Sequence, residues 1–298
     1  MASQPLTIPP EIRSRLKRLR LRTRSDLGER GFGMHPSRNK GSGIEFAQYR
    51  AYEPGDEPRR IDWKLFARSD KFFVREAEEE SPVSVWILID ASASMGQADR
   101  ARPDHTRLDA AKLLALCIAE LAQMQGDRFG WVSLGEDALG LAEPRGGRAQ
   151  IDRLQLDFAR LQPGGSFPDA AVLAPLWERI GAHDLVLFLS DCFDERGIAL
   201  IERLAKAGRE VLCVQMLTAE ERDFPFDGGY RFHDQESGEA LIGDGAALRA
   251  SFLTRFAAAR AALGERLDAA GIRHCAYVLD ERIDRPLQVF FGRGADAP

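Results

Sequence analysis

From Val83 onward, short apolar segments alternate regularly with longer segments that have a helical period. The apolar segments predict strands, and VSVWILID and DLVLFLSD are the most apolar of them. Strands that alternate with helices are typical of an α/β fold whose mostly parallel sheet is covered on both faces. RFGWVSL and ALGLAE are joined by the short turn Gly135-Glu136-Asp137, so this pair is predicted to be antiparallel. EVLCVQML and HCAYVLD complete a predicted doubly wound sheet of six strands with one antiparallel edge strand.

The segments between these strands predict helices. Thr106 and Asp109 form a capping box at the start of TRLDAAKLLALCIAELAQMQ. RAQIDRLQLDFARL, DAAVLAPLWERI, GIALIERLAKAG and PLQVFF predict further helices, and YRFHDQESGEALIG predicts a hairpin that turns at Gly238. A long helix is expected from about Ala246 to Ala270, ending at Gly271. Its predicted buried stripe consists of Leu248, Phe252, Phe256, Ala259, Leu263 and Leu267.

The first 80 residues differ in composition, so we predict an N-terminal extension, residues 1–80, and an α/β domain, residues 81–298. The extension contains a predicted basic helix, Pro10 to Arg24. We interpret it as a helix that packs on the main domain through Leu16, Leu19 and Leu21. The alternative is a surface for an acidic partner or anionic lipid. GERGFGMHPSRNKGSG has neither a helical nor a strand period and no phosphate-binding glycine motif, so it predicts a loop.

The composition excludes several classes of function. The formal net charge of -5 gives no general case for nucleic acid binding. No apolar run approaches the roughly 20 residues of a membrane span, so we expect no stable membrane insertion. Scattered cysteines without a CxxC motif are typical of reduced thiols, so we expect a cytoplasmic protein. The histidines lack zinc-binding spacing. The cysteines are Cys117, Cys192, Cys213 and Cys275.

Polar side chains follow the two most apolar strands at the point where each strand ends. Asp90, Ser92 and Ser94 follow the first strand, and Asp191 follows the fourth. In the strand order 3-2-1-4-5-6 these strands are neighbours at the reversal point where ligands bind. The loop QPGGSFPDA offers Ser166. Such oxygen ligands suit Mg²⁺, with Mn²⁺ or Ca²⁺ as alternatives.

Each of these residues also has a purely structural interpretation. Serine is common in turns, which would account for Ser92 and Ser94. Ser166 lies three residues before Asp169, so it could be the N-cap of a helix that begins there. Asp191 is similarly placed to cap the turn into the next helix. Cys192, directly after it, is interpreted as a buried inert thiol, with oxidation sensing as the alternative.

The motifs DASAS, GGSF and LSD resemble the metal-ion-dependent adhesion site of von Willebrand factor A domains, which have a Rossmann-like fold. The resemblance implies that Asp90, Ser92, Ser94, Ser166 and Asp191 hold the metal ion, with Asp191 acting through a water. Ser166 stands where the family usually has threonine, so a hydroxyl is kept. In integrin-like members the open metal position accepts a glutamate or aspartate of a partner protein.

The segment GSGIEFAQYRAYEPGDEPRRIDWKLFARSDKFFVRE resembles the signature of the bacterial family called domain of unknown function 58. This resemblance implies a partner or adaptor of a MoxR-type AAA+ ATPase, in a chaperone-like, metal-insertion or stress-related role. The charged and aromatic residues of the segment are interpreted as a latch on the sheet edge, or alternatively as a partner surface. The matching residues are Gly43, Glu45, Phe46, Arg50, Tyr52, Pro54, Gly55, Asp56, Pro58, Arg59, Ile61, Asp62, Trp63, Ala67 and Arg68.

Three functions compete on these observations. The first is a non-enzymatic, metal-dependent protein-interaction module. The second is a metal-dependent phosphohydrolase with Asp90 as nucleophile, although Ser92 stands where such enzymes place their general acid. The third is a scaffold whose metal site is never filled. We predict the first.

Overall fold

The structure is a computed structural model that describes residues 6–21, 23, 46–53, 56–77, 82–233 and 240–292. The chain forms two compact units, residues 1–30 with 83–298, and residues 31–82. The predicted Gly-rich loop lies outside the described residues, and so does the predicted turn at Gly238. Within the described ranges, no helix is both long enough and apolar enough to cross a bilayer.

The strands are β1 (Phe46–Ala51), β2 (Phe73–Ala77), β3 (Ser84–Asp90), β4 (Arg128–Leu134), β5 (Leu139–Arg145), β6 (Leu185–Ser190), β7 (Glu210–Leu217), β8 (Gly229–His233), β9 (Ala240–Asp244) and β10 (Arg273–Val278). The α-helices are α1 (Pro10–Leu16), α2 (Trp63–Ser69), α3 (Arg107–Gln125), α4 (Arg148–Arg160), α5 (Ala170–Leu173), α6 (Leu176–Arg179), α7 (Glu195–Lys206), α8 (Ala219–Asp223), α9 (Gly245–Ala269) and α10 (Arg285–Phe291).

The first unit is built on a six-stranded sheet with the order β10-β7-β6-β3-β4-β5. All its neighbouring strands are parallel except β4 and β5, which are antiparallel, so β5 is an antiparallel edge strand. When the six strands are numbered by their order in the chain, the sheet reads 6-5-4-1-2-3. Read from the opposite edge, this is 3-2-1-4-5-6, the predicted doubly wound order. The predicted fold class, an α/β fold with a doubly wound, mostly parallel six-stranded sheet and one antiparallel edge strand, is therefore confirmed.

The central strand β3 is buried on both faces because neighbouring parallel strands and helices enclose it. Successive side chains of a strand point to opposite faces. Ile87 and Ile89 accordingly join the core beneath α1, α3 and α4, whereas Trp86 and Leu88 join the core beneath α7. The capping box of Thr106 and Asp109 at the start of α3 is present as predicted.

The basic N-terminal helix is shorter than predicted, since α1 ends at Leu16. Its packing interpretation is confirmed because Leu16, Leu19 and Leu21 are all buried in the main core. Arg13 forms a bidentate ion pair with Glu120 of α3. Part of the basic charge therefore serves to fasten this segment to the sheet domain.

The predicted helix DAAVLAPLWERI is wrong as one continuous element. The structure has two short helices, α5 and α6, with Ala174 and Pro175 between them. Proline has no backbone N–H and its ring crowds the preceding turn, so it interrupts a helix at this position.

The long helix α9 has the predicted length, but its predicted buried stripe is wrong. Only Leu267 of that stripe is buried; Leu248, Phe252, Phe256 and Leu263 are half-buried and Ala259 is exposed. A helix of this length spans about 37 Å, which exceeds the reach of the strands beneath it. The first half of α9 therefore packs on aromatic side chains such as Phe224, whose ring centroid lies 4.4 Å from that of Phe252.

The second unit contains most of the family signature and has regular secondary structure. β1 and β2 form an antiparallel pair, and α2 lies between them in the chain. The side chain of Asp62 caps α2 by accepting hydrogen bonds from the backbone N–H groups of Lys64 and Leu65. Trp63 is exposed, and its ring meets Phe72 edge-on. The latch and partner-surface interpretations of this segment stay predictions.

A candidate metal centre at the sheet edge

Two aspartates lie at the carboxyl ends of neighbouring strands. Asp90 is the last residue of β3, and Asp191 directly follows β6. The two strands are parallel, and Ile89 is aligned with Leu189. The fold thus brings together carboxylates that are a hundred residues apart in the sequence, as the predicted strand order requires.

Asp90 is buried and has only neutral hydrogen-bond partners among the described residues. It is 1% exposed. Ser190 Oγ donates to Asp90 Oδ2 at 2.6 Å, and the backbone N–H of Ser92 donates to Oδ1 at 2.9 Å. Burial, and next the charge of Asp191, raises the pKa of Asp90 to about 6. A cation beside Asp90 would offset both effects.

The two serine hydroxyls of the DASAS turn face the carboxylates. Ser92 Oγ lies 3.1 Å from Ser94 Oγ, and the nearby Ser94 side chain acts to lower the pKa of Asp191. A short 3-10 helix, Ala93–Gly96, forms this turn. The two hydroxyls therefore lie together beside the carboxylates, an arrangement that turn formation alone does not require.

Ser166 reaches the neighbourhood by its loop, but its hydroxyl has another partner. Ala93 N–H donates to Gly165 O at 2.9 Å, which ties the Ser166 loop to the DASAS turn. Ser166 Oγ donates to Glu136 Oε1 at 3.1 Å. Asp169, rather than Ser166, occupies the N-cap position of α5, so the predicted capping alternative is absent.

Glu136 is a site residue that sequence reasoning missed. Besides holding Ser166, its carboxylate lies over Gly165, where a Cβ atom would overlap it. Glu136 belongs to the turn after β4, and β4 runs parallel to β3. Because both strands end at the same edge, the position of this turn was a usable signal.

Arg107 is a second missed residue, and it is fully buried. Its Nη1 donates to Asp191 Oδ2 at 2.9 Å and to Ser94 O at 3.1 Å, and its Nη2 donates to Glu221. Burial raises the pKa of Asp191, and the Arg107 guanidinium opposes that rise. Arg107 starts α3, while Glu221 lies on α8, so only the folded chain joins them.

The sequence offered helix capping as a structural interpretation of Asp191, but Asp191 does not cap α7. Asp194 does so, accepting from Arg196 N–H at 2.8 Å. Asp191 Oδ1 instead accepts from Phe193 N–H at 3.1 Å. Cys192 between them is buried with its Sγ 3.6 Å from that of Cys213, and its pKa is raised well above the usual value by that hydrogen bond and by burial. Such a thiol is protonated, which favours the inert interpretation.

The donor set fits a hard divalent cation. The described residues contain no group of three or more His, Cys, Asp or Glu side chains arranged to hold a metal. A metal ion here would therefore be held by two carboxylates and serine hydroxyls, all of them oxygen donors of the kind that Mg²⁺ prefers. Arg107 offsets the charge of Asp191 and Glu221, but Asp90 keeps no cationic partner among the described residues.

Comparison with known proteins supports the family resemblance. The sequence profile of the family described as "Protein of unknown function DUF58" matches residues 48–262. The uncharacterized proteins Rv1480 of Mycobacterium tuberculosis and Mb1516 of Mycobacterium bovis are each 29% identical to this chain over 282 residues, covering 93% of this chain and 86% of theirs.

Two solved structures match over 70% of this chain. The aerotolerance-related membrane protein from Bacteroides fragilis has a TM-score of 0.43 and 13% identity, with 70% of this chain and 96% of that chain covered. The SpRpn10 VWA domain has a TM-score of 0.40 and 15% identity, with 70% and 94% covered. The family profile, in contrast, spans more than half of the sequence. The chain therefore belongs to the DUF58 family.

Proposed function

We propose that this chain is a non-enzymatic protein-interaction module that depends on a divalent metal ion. Asp90, Ser92, Ser94, Ser166 and Asp191 would hold the ion, which we expect to be Mg²⁺, with Mn²⁺ or Ca²⁺ as alternatives. The observation that carries the proposal is the buried carboxylate of Asp90, which contacts neutral donors only, among the described residues, beside a second carboxylate.

The hydroxyl ligands explain why such a site would bind a partner. Serine hydroxyls add no negative charge, so a bound cation keeps its attraction for a further anionic oxygen. The cation would supply a Lewis-acidic position that a glutamate or aspartate of the partner completes. Ser166 would join the ligands when its hydroxyl leaves Glu136.

The partner we propose is a MoxR-type AAA+ ATPase, for which the chain would act as an adaptor in the cytoplasm. This part of the proposal follows from the DUF58 resemblance. Without a cation, the carboxylates of Asp90 and Asp191 would repel an acidic residue of the partner. A bound cation would instead attract that residue.

The surroundings of Asp90 support a binding role over phosphohydrolase chemistry. Both of its carboxylate oxygens accept hydrogen bonds, and the side chain is almost completely buried. A nucleophilic carboxylate must meet the substrate itself, whereas a metal ligand can stay at this depth because the ion is small. Ser92, at the position of the general acid, is instead engaged with Ser94.

Calorimetric titration of the full chain with Mg²⁺ and Mn²⁺ tests the metal site. We expect saturable heat for the wild type and none for Asp90→Ala, because that variant loses a carboxylate in direct contact with the other ligands. Asp152→Ala, at an exposed residue of α4, is the matched control and should bind as the wild type does. Absence of heat and of thermal stabilisation in the wild type would show that the site is an unfilled scaffold.

Capture of partners by the tagged chain tests the interaction. We expect a MoxR-type ATPase to be retained in Mg²⁺ and ATP, and to be lost in EDTA or with Asp90→Ala. Equal retention by Asp90→Ala in EDTA would contradict the proposal. Robust phosphatase turnover that is lost in Asp90→Ala would replace it with the enzymatic function.

A further inference from the structure

We propose that a groove between Phe193 and α9 binds a large apolar side chain of a protein partner, next to the partner's metal-bound carboxylate. Arg260 at the groove would receive a second acidic group of the same segment. This inference rests on the proposed function, because the metal site fixes where the partner segment starts. The occupant is thus an extended acidic segment that carries an apolar residue within a few positions of its metal-binding carboxylate.

The groove has a suitable size for side chains of a peptide. Its volume is about 280 Å³, and Phe193, Ile198, Phe256, Leu263, Arg260 and Arg266 contribute to its walls. Pockets for small-molecule ligands usually range from about 300 to 1,000 Å³, so this groove lies just below that range. One or two apolar side chains are therefore a better match than a cofactor-sized molecule.

Phe193 makes the groove continuous with the metal site. Its backbone N–H donates to Asp191 Oδ1, and its ring lies 5.3 Å from the guanidinium carbon of Arg107. Because consecutive Cα atoms are about 3.8 Å apart, Phe193 is within two residue lengths of Asp191. An extended segment whose carboxylate reaches the metal site would pass over this ring.

The exposure of Phe193 also favours a binding role. Its side chain is 53% exposed although it stands beside a buried ionic site. Exposed aromatic residues at the rim of a concave site are frequent centres of protein interfaces. Opposite it, Ala259 and Ala262 of α9 are small and exposed, which leaves room for a backbone to approach.

The charges of the groove select an acidic partner. Arg266 is neutralised by ion pairs with Glu195 and Glu202. Arg260, in contrast, is exposed, and none of the ion pairs found among the described residues includes it. The groove therefore presents one unmatched positive charge, and a carboxylate on the partner is its complement.

Selection from a phage-displayed library of random dodecapeptides tests the inference with the full chain in Mg²⁺. We expect enriched peptides to share an acidic residue followed or preceded within about three positions by Phe, Leu, Met or Trp, since each extended residue spans about 3.3 Å. Peptides with no such shared pattern would overturn the proposal.

Paired variants of α9 then test one enriched peptide by fluorescence anisotropy. Ala259→Trp fills the groove and should weaken binding about tenfold or more, since loss of one buried apolar side chain is worth at least that factor. Ala258→Trp is the matched control, because Ala258 is exposed on the same helix without lining the groove, and should bind normally. Arg260→Glu should weaken binding, whereas Arg255→Glu should not.

The outcomes separate this inference from the metal-dependent function. Binding that needs Mg²⁺ and Asp90 but tolerates Ala259→Trp would overturn the groove and leave the metal site standing. Binding that is lost in Ala259→Trp yet persists in EDTA would support the groove and overturn the metal-dependent function. A change of oligomeric state in Ala259→Trp would identify a second copy of the chain as the occupant of the groove and would contradict the proposal. Displacement of the peptide by a fatty acid would also contradict it, because the groove would then bind a lipid.

Discussion

Arg107 places a permanent positive charge beside one of the two candidate metal-binding carboxylates. Its guanidinium contacts Asp191, Glu221 and the backbone of Ser94. An ion pair at this depth has its charges removed from water, so each charge depends on its partner. Arg107 thus positions Asp191 and neutralises its charge, whereas the charge of Asp90 is not neutralised by any described residue.

Replacing Arg107 by methionine should destabilise the metal-free protein strongly. Removal of one partner from a buried ion pair costs about 3–5 kcal/mol, because the carboxylates of Asp191 and Glu221 remain. Urea-induced unfolding of the full chain in EDTA measures the loss, and Mg²⁺ should restore part of it. The control Arg148→Met breaks an exposed pair with Asp152 and should change stability by less than about 0.5 kcal/mol. Equal losses in both variants would contradict this role of Arg107.

The raised pKa of Asp90 predicts a specific dependence of stability on pH. The folded pKa of about 6 exceeds the unfolded value of 3.8, so between them the folded state binds more protons than the unfolded state. Without metal, this residue's contribution to stability is therefore lost as pH rises from about 4 to about 6, by roughly 3 kcal/mol.

Asp90→Asn is the matched variant for this prediction, since asparagine keeps the shape and cannot ionise. Its amide can donate to Ser190 while its carbonyl accepts from Ser92. The stability of the wild type relative to Asp90→Asn, measured by urea unfolding in EDTA, should fall across this pH interval, and Mg²⁺ should reduce the fall. Parallel pH profiles of the two proteins would refute the assignment.

At the scale of elements, α1 is a part of the main core. Leu16 is completely buried there, so Leu16→Ala should destabilise the chain by about 2–5 kcal/mol. Lys17→Ala, at the adjacent exposed position, should stay within about 0.5 kcal/mol of the wild type. Thermal or urea unfolding distinguishes the two. An unaffected Leu16→Ala would favour the alternative of a free basic surface.

The elements that sequence predicted well are those whose pattern is local. VSVWILID and DLVLFLSD became β3 and β6 because a strand buried on both faces is apolar throughout. The stripe of α9 failed because burial depends on what a helix faces, and this helix extends beyond the sheet. The pairing of β1 with β2 was missed because α2 separates them in the chain and neither short segment has a regular alternation of apolar and polar residues.

The candidate site likewise contains residues that the sequence could predict and residues that it could not. Asp90 and Asp191 could be paired from the sequence because the strand order fixes which strand ends meet. Ser190 and Arg107 could not be assigned, since their roles depend on side-chain directions set by tertiary packing. Arg107 reads locally as a residue after a helix cap, and its ionic partners lie 84 and 114 positions further along the chain.

At the scale of the whole molecule, the two units differ in how much they bury. Burial is described for residues 51–53, 56–59, 61–74 and 82 of the second unit, and among these only Val74 and Asp62 are buried, whereas β3 is buried along nearly its whole length. Small units with little buried surface open at low free energy.

Hydrogen exchange of the native chain should therefore separate the units. We expect the amides of β1 and β2 to exchange much faster than those of β3 and β6, because local opening of the second unit exposes fewer apolar contacts. Mass spectrometry of peptides from each unit measures the difference. Uniform protection across both units would contradict the prediction.

The central position of β3 has a consequence for the nascent chain. Protein synthesis proceeds from the N-terminus at about 5–20 residues per second, so the DASAS turn is made well before β6. Until Asp191 and Glu221 leave the ribosome, Arg107 lacks both of its ionic partners. The apolar strand β3 likewise lacks its neighbour β6 during this interval, and contact with chaperones is expected to concentrate then because apolar surface is exposed.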